Sequence, residues 1–180
     1  MILEFLATNH TNEHEQSGGK TMIFLYSYHT GSTRKIAEAI APVINAPIMN
    51  VEAIDPENFD LTALQEYSLI GFGSGIDSAR HYRVLLDFAE NLPDFPDKKA
   101  FIFSTSGIYN KGKMLKDHRV LRTILLNKGF VIVNEFGCLG HNTNSFLKFF
   151  GGMNKGRPNS IDLRNAELFA EELLLNRGDS

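Results

Sequence analysis

The amino-acid sequence predicts an α/β protein built on a doubly wound sheet of five parallel strands, in the order 2-1-3-4-5, with helices on both faces. Short, almost continuously apolar runs recur along the chain, which is typical of parallel strands buried on both faces. Segments with apolar residues at helical spacing separate these runs, and this alternation indicates βαβ units. Loops rich in glycine and hydroxyl side chains follow several of the runs, at the sheet edge where such folds bind ligands.

Length and composition indicate one domain of an ordinary globular protein. The chain has 180 residues, of which 43% are hydrophobic and 22% charged, with a formal net charge of −3. A nucleic-acid surface needs a basic face, so we expect no nucleic-acid partner. We expect residues 1–20 to be a flexible N-terminal extension, residues 21–176 to be the domain and residues 177–180 to be a C-terminal tail.

The first residues and the single cysteine favour a cytoplasmic protein. The apolar segment Met1–Ala7 is short, contains Glu4 and lacks a basic region, so it does not resemble a signal peptide. No stretch is long enough to span a bilayer, and we expect no membrane contact. The spacing of His10 and His14 is interpreted as chance rather than as a metal site. Cys138 is interpreted as a small buried residue at a strand end in preference to a reactive thiol, in a reducing compartment.

Four apolar runs predict buried strands, and a fifth predicts an edge strand. The buried candidates are Met22–Tyr26, Ser68–Phe72, Ala100–Phe103 and Phe130–Val133. The weaker candidate, Ile48–Glu52, fits an edge position where one face meets water.

Four stripes of apolar residues predict the helices between and after these strands. They are Ile36, Ile40, Val43 and Ile44; Tyr82, Leu85, Leu86 and Ala89; Leu121, Ile124 and Leu125; and Leu163, Ala166, Phe169, Ala170, Leu173 and Leu174. Pro42 is expected to end or kink the first helix. Ser160 is the expected N-cap of the last helix, with Asp162 in its first turn.

The loop after the first strand combines one glycine with several hydroxyl side chains. Gly31 allows a tight turn, while Thr30, Ser32 and Thr33 offer hydroxyl donors just before a helix begins. The free N–H groups and the positive dipole end of such a helix attract an anion without any lysine. The same residue types also favour ordinary helix N-caps, so local chemistry leaves an anion site and a simple cap equally open.

Two further loops follow the third and fourth predicted strands. Gly71, Gly73 and Gly75 indicate a flat ligand close to the backbone, because tight packing explains one glycine more easily than three. The segment is not a G-x-G-x-x-G motif, since Ile76 takes the last glycine position. In the next loop, residues 104–109, small polar residues leave room for a polar ring edge, and Tyr109 is either a stacking residue or a half-exposed loop tyrosine.

The long segment after the fifth strand, residues 140–159, shows no convincing element. Loops of this length in a compact domain are usually functional or contain a short helix. Phe146, Leu147, Phe149 and Phe150 are expected to form a lid over the carboxyl edge or a dimer contact. Lys155 and Arg157 are interpreted as solvated charges in preference to a nucleotide-phosphate site.

Taken together, the three loops resemble those of the flavodoxin family, over about residues 22–174. Thr30-Gly31-Ser32-Thr33 is similar to the family's FMN phosphate signature, T-G-[NS]-T, on the turn between the first strand and the first helix. The loops at residues 73–78 and 104–109 match the two segments that flank the isoalloxazine ring. The resemblance therefore implies a flavodoxin-like fold with bound FMN.

The resemblance also implies roles for individual residues. The phosphate would be held by Thr30, Gly31, Ser32 and Thr33, with Tyr28 and His29 alongside. The dimethylbenzene and N5 side of the ring would be bordered by Ser74, Gly75, Ile76 and Asp77, with the Gly75–Ile76 peptide as the hydrogen-bonding partner of N5. The pyrimidine edge would meet the segment opened by Ser104, which continues with Thr105, Ser106, Gly107, Ile108 and Tyr109.

Three features depart from the family pattern, and one of them is Tyr28, which replaces the usual small hydroxyl residue at the opening of the phosphate loop. The chain has no tryptophan for the usual aromatic sandwich, so Tyr109 is expected on one face of the ring and Ile76 or the segment Phe146–Phe150 on the other. Electron-carrier flavodoxins are commonly very acidic, whereas this chain carries only −3.

The resemblance predicts an FMN-binding redox protein that transfers electrons. As a carrier it would exchange electrons with redox partner proteins. An NAD(P)H-dependent FMN oxidoreductase acting on a small quinone-like acceptor is the alternative, and an FMN-free binding module is the third candidate. No separate catalytic acid–base set or metal site is expected in these loops, because the flavin carries the chemistry. The oligomeric state is left open between a monomer and a homodimer.

Overall fold

The computed structural model describes residues 19–28, 30–55, 59–143 and 151–176. Its strands are β1 (Lys20–Tyr26), β2 (Ile48–Asn50), β3 (Tyr67–Asp77), β4 (Arg80–His81), β5 (Lys99–Ser106) and β6 (Val131–Leu139). Its α-helices are α1 (Ser32–Val43), α2 (Arg83–Glu90), α3 (Lys111–Asp117), α4 (Arg119–Asn127) and α5 (Ser160–Leu175). Two 3₁₀ segments, Val51–Ala53 and Leu61–Glu66, lie between β2 and β3.

The sheet has the predicted topology. Its strands follow the order β2-β1-β3-β5-β6, and every neighbouring pair in this order is parallel. The two-residue strand β4 pairs only with the end of β3, as the return arm of a short antiparallel hairpin. Without β4 this is the order 2-1-3-4-5, so the prediction of a flavodoxin-like doubly wound sheet is confirmed.

Apolar cores cover both faces of the sheet. On one face, Phe24 and Phe72 pack with the apolar stripes of α2 and α4, including Leu85 and Leu121. On the other face, α1 and α5 supply residues such as Ile40 and Phe169, which pack against Phe101 and Phe103 of β5. A sheet covered in this way leaves the carboxyl ends of its strands as the edge open to ligands.

The strands extend further towards this edge than the apolar runs predict. The ladder between β3 and β5 continues through the pairs Ser74↔Ser104 and Gly75↔Thr105. Residues that we assigned to loops after the third and fourth strands therefore belong to the strands. An apolar run reports burial between two helical layers, whereas the ladder depends only on backbone hydrogen bonds and continues into polar sequence.

The interpretation of the three glycines on β3 is wrong for two of them. A Cβ at Gly71 would lie 2.2 Å from the ring of Phe101, and one at Gly73 would lie 2.1 Å from the ring of Phe103. These glycines make room for aromatic rings of the neighbouring strand inside the core. Gly75 lines the cleft described below, although a Cβ there would lie 2.8 Å from the ring of Tyr82.

Several helix boundaries also differ from the predictions. Asn159, not Ser160, caps α5, because its side chain accepts from the N–H groups of Ile161 and Asp162 while Asp162 bonds back to the Asn159 N–H. Helix α1, by contrast, ends at Val43, one residue after Pro42, in agreement with the expectation that this proline ends or kinks the helix. Helix α3 was not predicted, since its seven residues carry few apolar side chains.

Some predictions lie outside the described residues. They include the nature of residues 1–18 and 177–180, the histidine spacing at His10 and His14, and the lid or dimer contact around Phe146–Phe150. Lys20, placed by the prediction in the extension, begins β1 and pairs with the exposed carboxylate of Glu66 at 2.6 Å. Within the ranges that the structure describes, no helix is both long and apolar enough to cross a membrane.

Candidate ligand-binding site

An open cleft lies at the carboxyl edge of the sheet, where β1, β3, β5 and β6 end. It encloses about 420 Å³ of space, including the part open to solvent. The residues lining it are Tyr28, Thr30, Ser32, Thr33, Gly75, Ile76, Tyr82, Thr105, Ser106, Gly107, Gly140, His141, Asn142 and Thr143.

The start of α1 forms one end of the cleft. Gly31 adopts the left-handed conformation, with φ at 65°, and occupies the N-cap position without any side-chain cap bond. The N–H of Arg34 donates to the Ser27 hydroxyl at 3.3 Å, but the N–H groups of Ser32 and Thr33 meet no acceptor among the described residues. A helix start without acceptors favours an anion site over the simple cap that the sequence left open.

The hydroxyl groups around this helix start bond to one another. The Thr30 and Ser32 hydroxyls lie 3.1 Å apart, and the Thr33 hydroxyl lies 2.8 Å from that of Thr105 on β5. Thr33 and Thr105 are both buried, so their bond fixes α1 against the sheet at the bottom of the cleft. Ser32 is buried as well, and its hydroxyl also lies 3.5 Å from the carbonyl oxygen of Arg157, whereas Thr30 is only partly buried.

The segment after β6 completes the cleft and was not assigned to it from the sequence. The N–H of His141 donates to the Ser32 hydroxyl at 3.1 Å, which ties this segment to the start of α1. A Cβ at Gly140 would lie 2.8 Å from the Cβ of Thr105, so glycine permits the close approach. The available signal was Gly-His-Asn-Thr directly after a strand, the same small and polar composition as in the other edge loops.

Further hydrogen bonds order the two described ends of residues 140–159. Asn142 and Met153 form an antiparallel bridge, and the Asn154 side chain donates to the Gly107 carbonyl at 2.7 Å. The Arg157 guanidinium bonds both carboxylate oxygens of Asp162, at 2.9 and 2.8 Å. The interpretation of Arg157 as a solvated charge is therefore wrong, since it is the ion-pair partner of the first turn of α5.

Two tyrosines form the aromatic part of the cleft, and one of them was not predicted there. The ring of Tyr82 lies 5.6 Å from that of Tyr28 and 5.3 Å from that of Tyr26. Tyr82 directly follows β4, so the pairing of β4 with β3 places it beside the cleft. No sequence motif indicates this hairpin. Tyr109, the predicted stacking residue, is 41% exposed and does not line the cleft.

The structure brings together most but not all of the predicted site residues. Those in the cleft are Tyr28, Thr30, Ser32, Thr33, Gly75, Ile76, Thr105, Ser106 and Gly107, with Gly31 at the turn between them. Outside the lining lie Ser74, Asp77, Ser104, Ile108 and Tyr109. His29 is outside the described residues.

Ser74 and Ser104 face away from the cleft into a buried set of polar groups, the histidine network, which consists of Ser74, His81, Ser104, His118, Arg122 and Glu135. The Ser74 hydroxyl lies 2.9 Å from Nδ1 of His81, and the Ser104 hydroxyl lies 2.8 Å from Nε2 of His118. Nδ1 of His118 bonds to Oε2 of Glu135 at 2.7 Å. Arg122 holds both oxygens of the same carboxylate, at 2.6 and 2.7 Å.

Burial and pairing set the charges in this network. Burial acts to raise the pKa of Glu135, but hydrogen bonds from His118 and Arg122 outweigh it and hold the pKa at about 2. Burial lowers the pKa of His81 well below its usual value, and the neighbouring His118 and Arg122 act in the same direction. His81 is therefore a neutral imidazole at neutral pH, beside an ionised Glu135–Arg122 pair.

Cys138 is buried near the end of β6, as the sequence predicts. Burial raises the pKa of its thiol to about 12. A thiol of this kind stays protonated, because the reactive thiolate is the form that burial disfavours. The structure thus favours the packing role over the reactive one.

Comparisons with known proteins agree with this architecture. A family model described as "Flavodoxin domain" matches residues 23–172. The uncharacterised protein MJ0298 of Methanocaldococcus jannaschii is 40% identical over 157 residues, which make up 87% of this chain and 99% of the relative.

Similar solved structures share the fold at low sequence identity. A WrbA-like flavodoxin of Agrobacterium tumefaciens is 18% identical, with a TM-score of 0.61 over 89% of this chain and 98% of that one. Oxidised flavodoxin 2 of Bacillus cereus is 16% identical, with a TM-score of 0.62 over 87% and 99%. The apo form of an NADH:FMN oxidoreductase is 18% identical, with a TM-score of 0.62 over 90% and 91%. By its family match and its fold, the chain belongs to the flavodoxin family.

Proposed function

We propose that the chain binds FMN in the cleft and transfers electrons through it. The observation that carries this proposal is the helix start at residues 31–33. The N–H groups of Ser32 and Thr33 have no acceptor among the described residues, and two hydroxyls stand beside them. This is the donor set that a phosphate group requires.

The donor set fits a phosphate held without lysine or arginine. The described residues that line the cleft include no lysine and no arginine. The anion would therefore have to be stabilised by backbone N–H groups, by hydroxyl donors and by the positive end of the α1 dipole. The side chain of Thr30, the N–H groups of Ser32 and Thr33 and the Ser32 hydroxyl are the groups that would hold the phosphate.

The rest of the cleft fits a flat ring. Gly75, Gly107 and Gly140 line it, so at these positions the wall is backbone without a side chain. Tyr28 and Tyr82 provide aromatic contact on the β1–β3 side. We assign the ring to this part of the cleft, where Gly75–Ile76 and residues 105–107 would border it.

FMN, when bound, supplies the capacity to accept and release electrons, and the residues of the chain bind it, orient it and exclude water. The chain resembles flavodoxins and an NADH:FMN oxidoreductase in fold to the same degree. We favour the electron carrier, exchanging electrons with redox partner proteins. An NAD(P)H-dependent enzyme that reduces a small quinone-like acceptor is the second candidate. An FMN-free binding module is disfavoured by the helix start that lacks a cap.

Comparison of FMN with riboflavin tests the proposal. Flavin fluorescence is measured while the apoprotein is titrated with each ligand. Two or more charge-assisted bonds to the phosphate, worth ~1.5–3 kcal/mol each, predict that FMN binds at least about 100-fold more tightly. Equal affinities would overturn the assignment of residues 30–33 to the phosphate, and binding of neither ligand would overturn the proposed function.

A second measurement separates the carrier from the enzyme. The FMN-loaded protein is mixed with NADH or NADPH and a soluble quinone, with no reductase added. For a carrier we expect no steady loss of the nicotinamide absorbance. Steady turnover would establish the oxidoreductase instead.

A further inference from the structure

Residues 108–122, which follow β5, are basic although the chain as a whole is acidic. They include five basic residues and one acidic residue, in a chain whose formal net charge is −3. The acidic residue, Asp117, is buried and pairs with Lys113 on the same helix, so it does not reach the surface. The exposed cations that form no ion pair with any other described residue are Lys111, Lys116 and Arg119.

These cations surround exposed apolar side chains. The single residue between α3 and α4 keeps a helical conformation, so residues four apart in this segment are neighbours on its surface. Leu115 therefore lies between Lys111 and Arg119 in one row, and Lys116 lies beside Val120 in the next row. Leu115 is 42% exposed, and Val120 is exposed as well. An apolar centre with charged residues around it is typical of a protein–protein interface.

This part of the surface begins at the rim of the cleft. Gly107 lines the cleft, and the next residue, Ile108, is 62% exposed. Two hydrogen bonds hold the loop in place. The Ser106 hydroxyl donates to the carbonyl of Ile108 at 2.7 Å, and the Asn154 side chain donates to the preceding carbonyl at 2.7 Å. A partner that docks here meets a surface that is already formed, which lowers the entropic cost of binding.

We propose that this surface docks an acidic redox partner protein at the rim of the cleft. We call it the α3 surface, and its members are Ile108, Lys111, Leu115, Lys116, Arg119 and Val120. Opposite charges across the interface would steer the encounter, and burial of the apolar centre would add affinity. That the partner carries electrons rests on the proposed function, whereas the acidic and apolar character of its docking face rests on the α3 surface alone.

Two other occupants fit the α3 surface less well. Nucleic acid is bound mainly through many phosphate contacts, whereas this surface offers three exposed cations around an apolar centre. A second copy of the chain would have to supply free carboxylates beside apolar side chains. On α5, exposed Leu168 lies next to Glu167, but Arg164 already pairs with Glu167 and Glu171.

The first test measures docking and does not depend on FMN. The purified protein is titrated in a calorimeter with oxidised plant-type ferredoxin, a small acidic iron–sulfur protein, at low and at high salt. We expect binding that weakens as the salt concentration rises, because salt screens exposed charges. At low salt we expect the triple variant Lys111→Gln/Lys116→Gln/Arg119→Gln to bind about tenfold more weakly, or less tightly still.

The matched control removes the same charge from other parts of the molecule. Lys20→Gln/Lys128→Gln/Arg164→Gln changes the start of β1, the residue after α4 and the exposed face of α5. We expect this variant to lose less than about threefold in affinity, because only the net charge of the chain changes. An equal loss in both triple variants, or no binding by the wild-type protein, would overturn the proposal.

The apolar centre separates a protein partner from other polyanions. Leu115→Ser leaves the charge unchanged, and we expect it to weaken ferredoxin binding about three- to tenfold at both salt concentrations. Leu168→Ser is its control, because Leu168 on α5 is also 42% exposed. Tighter binding of a short DNA duplex than of ferredoxin would overturn the proposal. Self-association of the wild-type protein that Leu115→Ser abolishes, measured by light scattering, would assign the surface to a second copy and overturn it too.

A rate measurement connects docking with electron transfer. Reduced ferredoxin is mixed rapidly with the FMN-loaded wild-type protein and with the two triple variants, and each reduced cluster gives one electron to the flavin. We expect the second-order rate at low salt to fall about tenfold or more in the α3-surface variant only. Equal rates in all three proteins would overturn the proposal. Failure of the wild-type protein to bind FMN would overturn the proposed function, and the calorimetric titrations would still decide whether the α3 surface docks an acidic protein.

Discussion

The two faces of the sheet differ most at its carboxyl edge, where neighbouring residues of β5 serve opposite purposes. Thr105 points to the face covered by α1 and α5, and bonds to Thr33 beneath the cleft. Ser104, one residue earlier, points to the other face and bonds to His118. Successive side chains of a strand alternate between faces, so a run of hydroxyl residues is divided between the cleft and a buried network.

The difference shows that the same residue types have different consequences on the two faces. On the α1 face the polar groups surround a helix start and leave donors unused. On the other face, α2, α3 and α4 close over the polar groups, so each needs an internal partner. Serine and threonine after a parallel strand therefore do not by themselves indicate a ligand.

The largest expected effect is on FMN affinity, and it comes from the residues at the start of α1. Replacement of both Thr30 and Thr33 by alanine removes one hydroxyl that we propose binds the phosphate and one that fixes α1 against β5. With ~1.5–3 kcal/mol per charge-assisted bond, we expect FMN binding to weaken about 10- to 100-fold or more. Fluorescence titration measures it. Riboflavin affinity serves as the control and should change far less; an equal loss for both ligands would show that the variant has distorted the whole cleft.

A second prediction concerns the stability contributed by the histidine network, on the face of the sheet covered by α2, α3 and α4. Glu135→Gln removes the charge that Arg122 and His118 hold, and we expect the free energy of unfolding at neutral pH to fall by about 3 kcal/mol. Urea denaturation measures it. Glu66→Gln is the control, since its pair with Lys20 is exposed and should contribute little. A loss no larger than that of the control would show that the network does not stabilise this face.

The pH dependence of the Glu135 contribution follows from the sign of its pKa shift. The pKa is lowered from 4.5 to about 2 in the folded protein. A lowered carboxyl pKa stabilises the fold above the unfolded value, and the stabilisation is lost as the pH falls through the folded value. The difference between the wild-type protein and Glu135→Gln should therefore shrink between pH 4.5 and about 2. A difference that stays constant over this range would contradict the assignment.

A smaller effect on stability is expected from a substitution at Gly140, directly after β6. Gly140→Ala places a Cβ 2.8 Å from that of Thr105 and 3.3 Å from that of Ser32. Overpacking of this kind typically costs ~1–3 kcal/mol, measured as a lower midpoint of thermal or urea unfolding. Gly112→Ala on α3 is the comparison, because its nearest atom would be 3.5 Å away. We expect that variant to be neutral or slightly stabilised, by up to ~0.5 kcal/mol; equal destabilisation of both would rule out the contact at Gly140 as the cause.

The sequence predicted the fold and the helix start of the site more accurately than it predicted the site's walls. The parallel sheet was predictable because burial between two helical layers leaves continuous apolar runs such as Ile23–Leu25. The turn at residues 30–33 was predictable because a strand, a glycine and a helix start are adjacent in the chain. The walls depend on residues far apart in sequence, as Tyr82, His141 and Tyr28 show.

The glycines of β3 illustrate why the remainder could not be predicted. Gly71, Gly73 and Gly75 look equivalent in the sequence, yet the first two lie beneath Phe101 and Phe103 and only the third lines the cleft. The register between β3 and β5 makes this distinction. A shift of one residue would exchange the faces of every side chain, and no local pattern in either strand reports the register.

The sequence by itself determined the order of strands and helices and the glycine turn at the start of α1, since these depend on periodicity and on groups adjacent in the chain. Only the tertiary structure decided which hydroxyls face the cleft and which bond to His81 and His118. The physical reason is that strand register and the packing of α2–α4 bring together residues such as Ser74 and His81, or Ser104 and His118, whose hydrogen bonds no local pattern encodes.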